Sequence, residues 1–496
     1  MPFSEQKIVS KILKGGSWLY LSNILTNLFG FIYWFTISII GGPTVLGYTS
    51  AIIGLASLIN GALNLGTNIG LQKFIGEALG QQNKEKISTY FWSTILFSAL
   101  LYSTAGLILM ALALSGFSLS KFSPEAIIIC SLLVALGFNI NFPAFFTAIL
   151  KTEIVTLITV IGNIMRLAVG ISLVILGWGW IGASLGYVSN YLTLILAYLL
   201  LSKHHIKTKI SISLNAVTNV VKAGAASWLP NLITLLGQWL GVLAVFGATG
   251  ALETGAYYIA FMISMLVAGL GTSITMLLLP VLSSLTDGRK RVCWSSLKIC
   301  YALTLPLVFA LIAYPWAPLK LLGKEYTTAA NSLTALLISA ALLLFTTAVR
   351  NLLYSYNSYL KILTLGAATN IPRIILYFIL VPLYKGYGAA LSFLAGSTTG
   401  LITAIIIAEN INFHPSYKTL LYLTIIPLTL STLTWITLLK QWTIGIPIIA
   451  LASYITYTKL KLISKNEASL IVNTLTPPTI LNKLKPLLQA TSKIIF

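Results

Sequence analysis

The fold is decided by residues 154–177, which read IVTLITVIGNIMRLAVGISLVILG, and by residues 362–382, which read ILTLGAATNIPRIILYFILVP. Each stretch is long and apolar enough to cross ~30 Å of hydrocarbon as a helix, which takes about 20 residues. Each also carries an asparagine followed three residues later by an arginine. A shift of 207 residues, from 163 to 370, superposes the two motifs and indicates an internal repeat.

The repeat extends over most of the chain. The same shift places Gly179 on Gly386, and a shift of 208 places Gly80 on Gly288, each followed by basic residues. Four further positions match at a shift of 208: Lys14, Gly16, Asn23 and Thr26 fall on Lys222, Gly224, Asn231 and Thr234. A nearly constant shift over six apolar runs indicates that the chain arose as two homologous halves.

We therefore predict two pseudo-symmetric six-helix lobes, over residues 7–203 and 215–411. Two additional helices follow over residues 412–462, and a cytoplasmic tail follows over residues 463–496. Because six is an even number, the lobes run in the same sense across the membrane, as in transporters with parallel repeats. Such lobes enclose a cleft, and rocking one lobe against the other would expose the cleft to each side in turn.

The composition places the whole chain in a membrane. Mean hydropathy is +0.91 and only 8% of residues are charged, against about 25% in soluble proteins. The apolar runs do not alternate, so they predict helices and not barrel strands. We expect an all-α membrane protein of about 14 transmembrane helices, over residues 17–41, 46–70, 89–115, 124–150, 154–177, 180–202, 223–248, 254–280, 299–319, 326–349, 362–382, 386–409, 420–439 and 443–460.

Basic residues predict the orientation. Of the 31 lysines and arginines, only five fall in the loops opposite the N-terminal tail: Lys121, Lys320, Lys324, Lys385 and Lys440. Cytoplasmic loops carry the excess of basic residues, so both termini are expected in the cytoplasm and the protein in the cell membrane. The net charge of +21 lies in these short loops and on no single helical face, which argues against a nucleic-acid partner.

Two of the five arginines lie inside predicted spans. An arginine at mid-membrane costs about 2.5–3.5 kcal/mol on insertion scales, so Arg166 and Arg373 need an explanation. We predict that both point into the cleft and hold an anionic group, because a guanidinium can bind two phosphate oxygens at once. The alternative is that each snorkels or pairs with a carbonyl for structure alone.

Acidic residues are absent from the predicted span centres. The ten are Glu5, Glu77, Glu85, Glu125, Glu153, Glu253, Asp287, Glu325, Glu409 and Glu467. A site for a cationic drug, Na⁺ or H⁺ normally contains a buried acid. The cleft is therefore expected to be positive and to prefer an anion.

Asparagines supply a second polar signal. Asn60, Asn64 and Asn68 recur every four residues in the second predicted span, which would place them on one helical face. Asn163 and Asn370 precede the arginines by three residues and would share their face. Amides both donate and accept hydrogen bonds, which suits sugar hydroxyls. The alternative is that these amides bond neighbouring helices.

No pattern indicates catalysis, a metal site or a cofactor. The loops contain no phosphate-binding loop, the three cysteines have no zinc spacing, and the outer loops are too short for a catalytic domain. A glycosyltransferase or polymerase acting on a lipid-linked donor is the enzymatic alternative. Such enzymes usually need an acidic residue on a large outer loop, so we expect no enzyme.

Four stretches resemble one family of flippases. They are Lys14-Gly-Gly, the loop from Phe74 to Gly80, the stretch Leu322-Gly-Lys-Glu-Tyr326 followed by two alanines, and the stretch from Val381 to Ala390. Together they resemble the polysaccharide-export (Wzx/RfbX-type) branch of the multidrug/oligosaccharidyl-lipid/polysaccharide (MOP) superfamily, over roughly residues 7–460. The resemblance implies a MATE/MurJ-like fold, alternating access, no catalytic chemistry and a cationic cavity that Arg166 and Arg373 would serve.

The expected function is flipping of a polyprenyl-(pyro)phosphate-linked oligosaccharide for surface polysaccharide or glycoprotein assembly. The expected partners are this substrate and membrane lipids, with glycosyltransferases or a polymerase of the same pathway as further candidates, and we expect a monomer. A multidrug or metabolite exporter of the MATE type is the alternative. That branch typically uses acidic residues in its first lobe, and this chain has none near the middle of a predicted span.

Overall fold

A computed structural model describes residues 5–116, 120–206, 209–284, 287–436 and 441–463. These residues form helices joined by short turns, and the chain divides into two compact units, residues 1–258 and 259–496. The predicted tail over residues 463–496 lies outside the described residues, apart from Ile463. The predicted lobe boundaries differ from the boundary of the compact units and stay a prediction.

The first unit is built from eight long or short helices and the start of a ninth. They are α1 (Glu5–Leu63), α2 (Thr67–Gly80), α3 (Lys84–Leu114), α4 (Pro124–Ala135), α5 (Asn141–Ala148), α6 (Thr152–Leu173), α7 (Gly179–His205), α8 (Leu214–Thr249) and α9 (Ala251–Ser284). An aromatic core that includes Phe91, Phe142 and Tyr198 holds α2, α3, α5, α6 and α7 together.

The second unit continues from α9. Its helices are α10 (Arg289–Ala313), α11 (Trp316–Leu322), α12 (Ala330–Ser355), α13 (Tyr359–Asn410), α14 (Tyr417–Ile436) and α15 (Trp442–Lys459). A Leu-rich core that includes Leu297, Leu344 and Leu352 packs α10, α12 and α13 against α14 and α15.

Nine helical stretches of the described part are long and apolar enough to cross a membrane, judged by length and composition. Three of these stretches are 43 to 52 residues long and each covers two predicted spans: Leu21–Leu63, Thr152–Ser202 and Tyr359–Asn410. The chain is therefore an all-α, multi-pass membrane protein.

The long helices break at positions that the repeat relates. Gly42 in α1 has φ 70°, and Gly250, 208 residues later and between α8 and α9, has φ 91°. Gly179, the first residue of α7, has φ 51°, and Lys385 in α13, 206 residues later, has φ 53°. Glycine adopts such left-handed angles freely and lysine does not, but at all four positions the angle marks a turn between spans.

The predicted span over residues 46–70 is wrong in being continuous, whereas the one over residues 124–150 is confirmed as a single candidate span, Pro124–Ala148. The span over residues 46–70 stops at Leu63 and restarts at Thr67, because Leu65 (φ 49°) and Gly66 (φ 73°) take left-handed angles. The span over residues 124–150 is interrupted by a 3₁₀ turn, Gly137–Ile140. The two breaks meet, since the Thr67 hydroxyl donates to Asn141 Oδ1 at 2.9 Å.

Glycines bring α1 and α2 into backbone contact with α8. A Cβ atom on Gly66 would overlap the Gly224 carbonyl, and one on Gly70 would overlap the Val220 carbonyl. Further along, Trp228 Nε1 donates to the Gly61 carbonyl at 2.9 Å. Small residues permit this close approach, which is the usual way that helices associate inside a membrane.

Candidate functional site

Arg166 lies in α6 with only 7% of its surface exposed. Its guanidinium carbon is 5.0 Å from the centre of the Tyr33 ring of α1 and 4.9 Å from that of the Tyr187 ring of α7. Both distances are within the range of cation–π attraction, which contributes about 0.5–2 kcal/mol per ring. Three helices therefore meet around one positive charge.

Glycines and one hydrogen bond fix the position of Tyr33. Its hydroxyl donates to the Ala183 carbonyl of α7. A Cβ atom on Gly170 of α6 or on Gly186 of α7 would collide with the same hydroxyl. Because Gly170 and Gly186 have no side chains, they leave the space in which Tyr33 lies. Tyr33 in turn helps to position the guanidinium.

The charge of Arg166 has no counter-ion among the described residues. No described carboxylate lies within ion-pair distance of it, and the buried Nε and Nη2 atoms have no hydrogen-bond acceptor in the described part of the chain. Each buried donor left without a partner costs about 1–3 kcal/mol, and more when it is charged. The two tyrosine rings offset only part of this cost, so an anion bound here would be stabilised.

Arg373 has a different environment in α13. It is 3% exposed, donates from Nη1 to Asn370 Oδ1 at 3.2 Å and from Nη2 to Ser397 Oγ at 3.3 Å. Its guanidinium carbon is 3.6 Å from the centre of the Phe393 ring. These contacts connect the two halves of α13 on either side of Lys385. The geometry favours a structural role for Arg373.

Asn163 and Asn370 bond to their own helices. The Asn163 amide donates to the Thr159 carbonyl at 2.8 Å, and the Asn370 amide donates to the Gly366 carbonyl at 2.9 Å. The structure therefore brings Asn370 and Arg373 together, as the repeat motif predicts. It gives Asn163 no hydrogen bond to Arg166.

The predicted stripe of asparagines on one helical face is wrong. Asn60 and Asn64 lie in and just after α1, whereas Asn68 lies in α2 beyond the break at Leu65 and Gly66. Asn64 Oδ1 accepts from the Gly66 amide at 3.0 Å, and Asn60 Nδ2 donates to the Leu133 carbonyl at 3.3 Å. Asn60 thus bonds the neighbouring helix α4, which is the alternative that the sequence left open, whereas Asn64 stabilises the turn between α1 and α2.

Sequence reasoning missed the aromatic residues around Arg166. Tyr33 belongs to the segment Phe31-Ile-Tyr-Trp-Phe35, whose density of rings within one apolar run was the available signal. Tyr187 lies 21 residues after Arg166, and only the turn between α6 and α7 places the two side by side. The pairing depends on tertiary packing that no local pattern contains.

No cluster of three or more His, Cys, Asp or Glu residues in the described ranges is arranged to hold a metal ion. The group of residues around Arg166 instead combines a buried positive charge, free N–H donors and aromatic faces. Its chemistry suits an anion, and a phosphate matches the guanidinium best because of its paired oxygens.

Comparison with known families gives one match. Residues 49–331 match the model of a family described as polysaccharide biosynthesis protein. That match covers more than half of the chain. No curated protein sequence matches the chain.

Solved structures show the same fold at low sequence identity. Lipid II flippase MurJ in an inward closed conformation is 16% identical, with a TM-score of 0.73 over 89% of this chain and 99% of that one. An inward-facing multidrug resistance MATE transporter of the MOP superfamily is 16% identical, with a TM-score of 0.60 over 77% and 93%. A MOP superfamily transporter from Pyrococcus furiosus, described by the reverse polarity of its binding pocket, is 16% identical, with a TM-score of 0.55 over 81% and 95%.

Proposed function

This chain belongs to the family of polysaccharide biosynthesis proteins, and from that premise we propose that it flips a polyprenyl-(pyro)phosphate-linked oligosaccharide across the cell membrane. The proposed mechanism is alternating access between two six-helix lobes, with no covalent chemistry. The lipid tail stays in the bilayer while the phosphate and sugar pass through the protein. The MurJ-like fold supports this reading, since the matched structure is named as a lipid II flippase.

Arg166 is the single observation that carries the proposal. It is a buried guanidinium with unpaired N–H donors inside a membrane helix, and no described acid neutralises it. A phosphate would supply both the missing charge and the missing acceptors. A cationic drug would add a second positive charge at the same place, which disfavours the MATE-type alternative.

The full proposed site contains the residues predicted from sequence. Arg166 is proposed to bind phosphate directly, and the remaining members are proposed to shape or line the path: Arg373, Asn163, Asn370, Asn60, Asn64 and Asn68. The amides of Asn60, Asn163 and Asn370 donate to backbone carbonyls. These hydrogen bonds favour a role in stabilising the helices over direct contact with the sugar.

The proposal includes a topology of fourteen spans with both termini in the cytoplasm. The breaks within α1, between α6 and α7 and within α13 divide three long stretches into two spans each. Helices α14 and α15 supply the last two, although neither is among the nine candidate spans. We also propose a monomer that receives its substrate from glycosyltransferases of the same pathway.

Flipping in proteoliposomes tests this function. The purified protein is reconstituted with a fluorescent polyprenyl-diphosphate-linked oligosaccharide, and dithionite quenching reports the fraction in each leaflet over time. We expect translocation that needs the protein and that is lost in Arg166→Ala. Uptake of a lipophilic cation such as ethidium with no flipping of the lipid-linked sugar would contradict the proposal and favour the drug exporter.

A further inference from the structure

Next to Arg166 the structure contains a row of aromatic rings that an anion site alone does not require. The centre of the Trp34 ring is 5.7 Å from that of Tyr33 and 5.6 Å from that of Tyr187. It is also 4.9 Å from that of Tyr258, which stacks on Trp239 at 6.1 Å with an interplanar angle of 20°. We call these five residues the aromatic row.

The row starts at the charge and leads away from it. Tyr33 and Tyr187 contact the guanidinium, Trp34 and Tyr258 follow in the series of ring contacts, and Trp239 ends it. Tyr33, Trp34 and Tyr258 are buried, whereas Tyr187 and Trp239 are partly exposed. Gly54 of α1 lies against the Trp239 ring, where a Cβ atom would approach within 2.9 Å.

Resting on the proposed function, we infer that the aromatic row is the sugar subsite, with the phosphate held at Arg166 and the first sugars against the rings. The sugar of a lipid-linked oligosaccharide is attached directly to the phosphate, so it must lie beside whatever binds the phosphate. A pyranose has faces of C–H groups and edges of hydroxyls. Aromatic faces are electron-rich and attract the polarised C–H groups, and tyrosine and tryptophan add hydrogen-bonding groups at the ring edges.

The row joins elements from both predicted repeats. Tyr33 and Trp34 of α1 and Tyr187 of α7 belong to the predicted lobe over residues 7–203, and Trp239 of α8 and Tyr258 of α9 belong to the one over residues 215–411. The contact between Trp34 and Tyr258 therefore crosses from one repeat to the other within residues 1–258. In the structure the two rings meet edge to face at 4.9 Å. Separation of the repeats would open this contact and expose the two rings to the sugar.

Binding to two detergent-solubilised probes tests the subsite. One probe is farnesyl diphosphate, and the other is the same diphosphate carrying a disaccharide. Titration calorimetry on the whole protein gives the dissociation constant of each. We expect wild type to bind the sugar-bearing probe about tenfold more tightly, since contacts with aromatic rings of this kind are worth about one factor of ten.

Trp239→Ala is the decisive variant, because Trp239 is partly exposed and is connected to the Arg166 charge only through the contacts of the other rings in the row. It should remove the tenfold gain from the sugar and leave binding of farnesyl diphosphate unchanged, and Trp239→Phe should restore most of the gain. Trp180→Ala is the matched control: Trp180 stacks on Tyr48 at 5.0 Å outside the row, and both dissociation constants should stay as in wild type. Should Trp239→Ala not yield folded protein, Trp239→Leu gives the same comparison.

The outcomes separate the subsite from the function. An equal sugar gain in wild type and in Trp239→Ala overturns the aromatic row as a sugar subsite and leaves the proposed function standing. A loss of affinity for both probes in Trp239→Ala also overturns it, because a general structural defect affects them alike. If wild type binds neither probe, the proposed function fails together with the subsite.

Discussion

At the scale of single residues, the two arginines of the repeat have acquired different surroundings. Sequence places Arg166 and Arg373 at equivalent positions and predicts one shared role. In the structure Arg373 donates to Asn370 and Ser397. The Nε and Nη2 atoms of Arg166, by contrast, have no hydrogen-bond acceptor in the described residues. The motif and the pair Asn370–Arg373 were readable from sequence. The other partners of the guanidinium groups come from residues farther along the chain and were not.

Arg166→Lys should lower the initial flipping rate at least tenfold without lowering the melting temperature. A lysine keeps the charge but cannot bind two phosphate oxygens in a fork, and its compact ammonium lacks the planar face that the guanidinium offers to the rings of Tyr33 and Tyr187. Arg291→Lys, at an exposed position of α10, is the matched control and should flip at the wild-type rate. A wild-type flipping rate in Arg166→Lys would show that the positive charge alone suffices for binding, and that the contacts of the guanidinium with Tyr33 and Tyr187 are not needed.

Arg373→Ala should lower the melting temperature in detergent more than Arg166→Ala does. It removes two buried hydrogen bonds from a charged donor, each worth about 1.5–3 kcal/mol, and the contact with Phe393. Arg166→Ala instead removes a donor group that lacks acceptors. An unchanged melting temperature combined with loss of flipping in Arg373→Ala would assign Arg373 to the substrate, as the repeat motif predicts.

At the scale of elements, glycines decide how α2 meets α8. Gly70 and Gly76 lie on the same helix, but a Cβ atom on Gly70 would overlap the Val220 carbonyl, and one on Gly76 would meet nothing within 4 Å. Gly70→Ala should therefore destabilise the protein by about 1–3 kcal/mol, in the range found for overpacking. Gly76→Ala, the matched control, should be neutral or stabilise by up to about 1 kcal/mol through the lower entropy of the unfolded chain.

Thermal unfolding in detergent, followed by intrinsic fluorescence, checks this pair. If both variants melt alike, the close approach of α2 and α8 is absent in the protein.

Most helical segments could be predicted from the sequence, because apolar runs of this length have few alternatives in a membrane. It missed the break at Leu65, since a leucine in a left-handed conformation is imposed by packing and has no local signature.

At the scale of the whole molecule, charge predicts the orientation that the fold alone does not fix. The native cysteines Cys130, Cys293 and Cys300 are buried, so they should give little labelling by a maleimide. A cysteine introduced at Gln82 should react only from the cytoplasmic side, and one introduced at Ser115 only from outside. Both positions are exposed in the structure. Gln82 lies in the loop after the predicted span over residues 46–70, and Ser115 ends the predicted span over residues 89–115, on the opposite side of the membrane. Labelling of both from the same side would contradict the topology.

The all-α membrane fold and the family could be predicted because hydropathy and the motifs that resemble the family extend over most of the chain. Placement of the site could be predicted only in part. An arginine within an apolar run identifies Arg166, but Trp34, Tyr187 and Tyr258 become neighbours only after three separate helices pack.

The position of a bound phosphate tests the central claim most directly. The measurement is an electron-microscopy structure of the protein with a polyprenyl-diphosphate-linked disaccharide. We predict a phosphate oxygen about 2.7–3.2 Å from Nε or Nη2 of Arg166, with the rings of Tyr33 and Tyr187 still in contact with the guanidinium. A well-defined phosphate bound elsewhere, with Nε and Nη2 of Arg166 still lacking an acceptor, would contradict the claim.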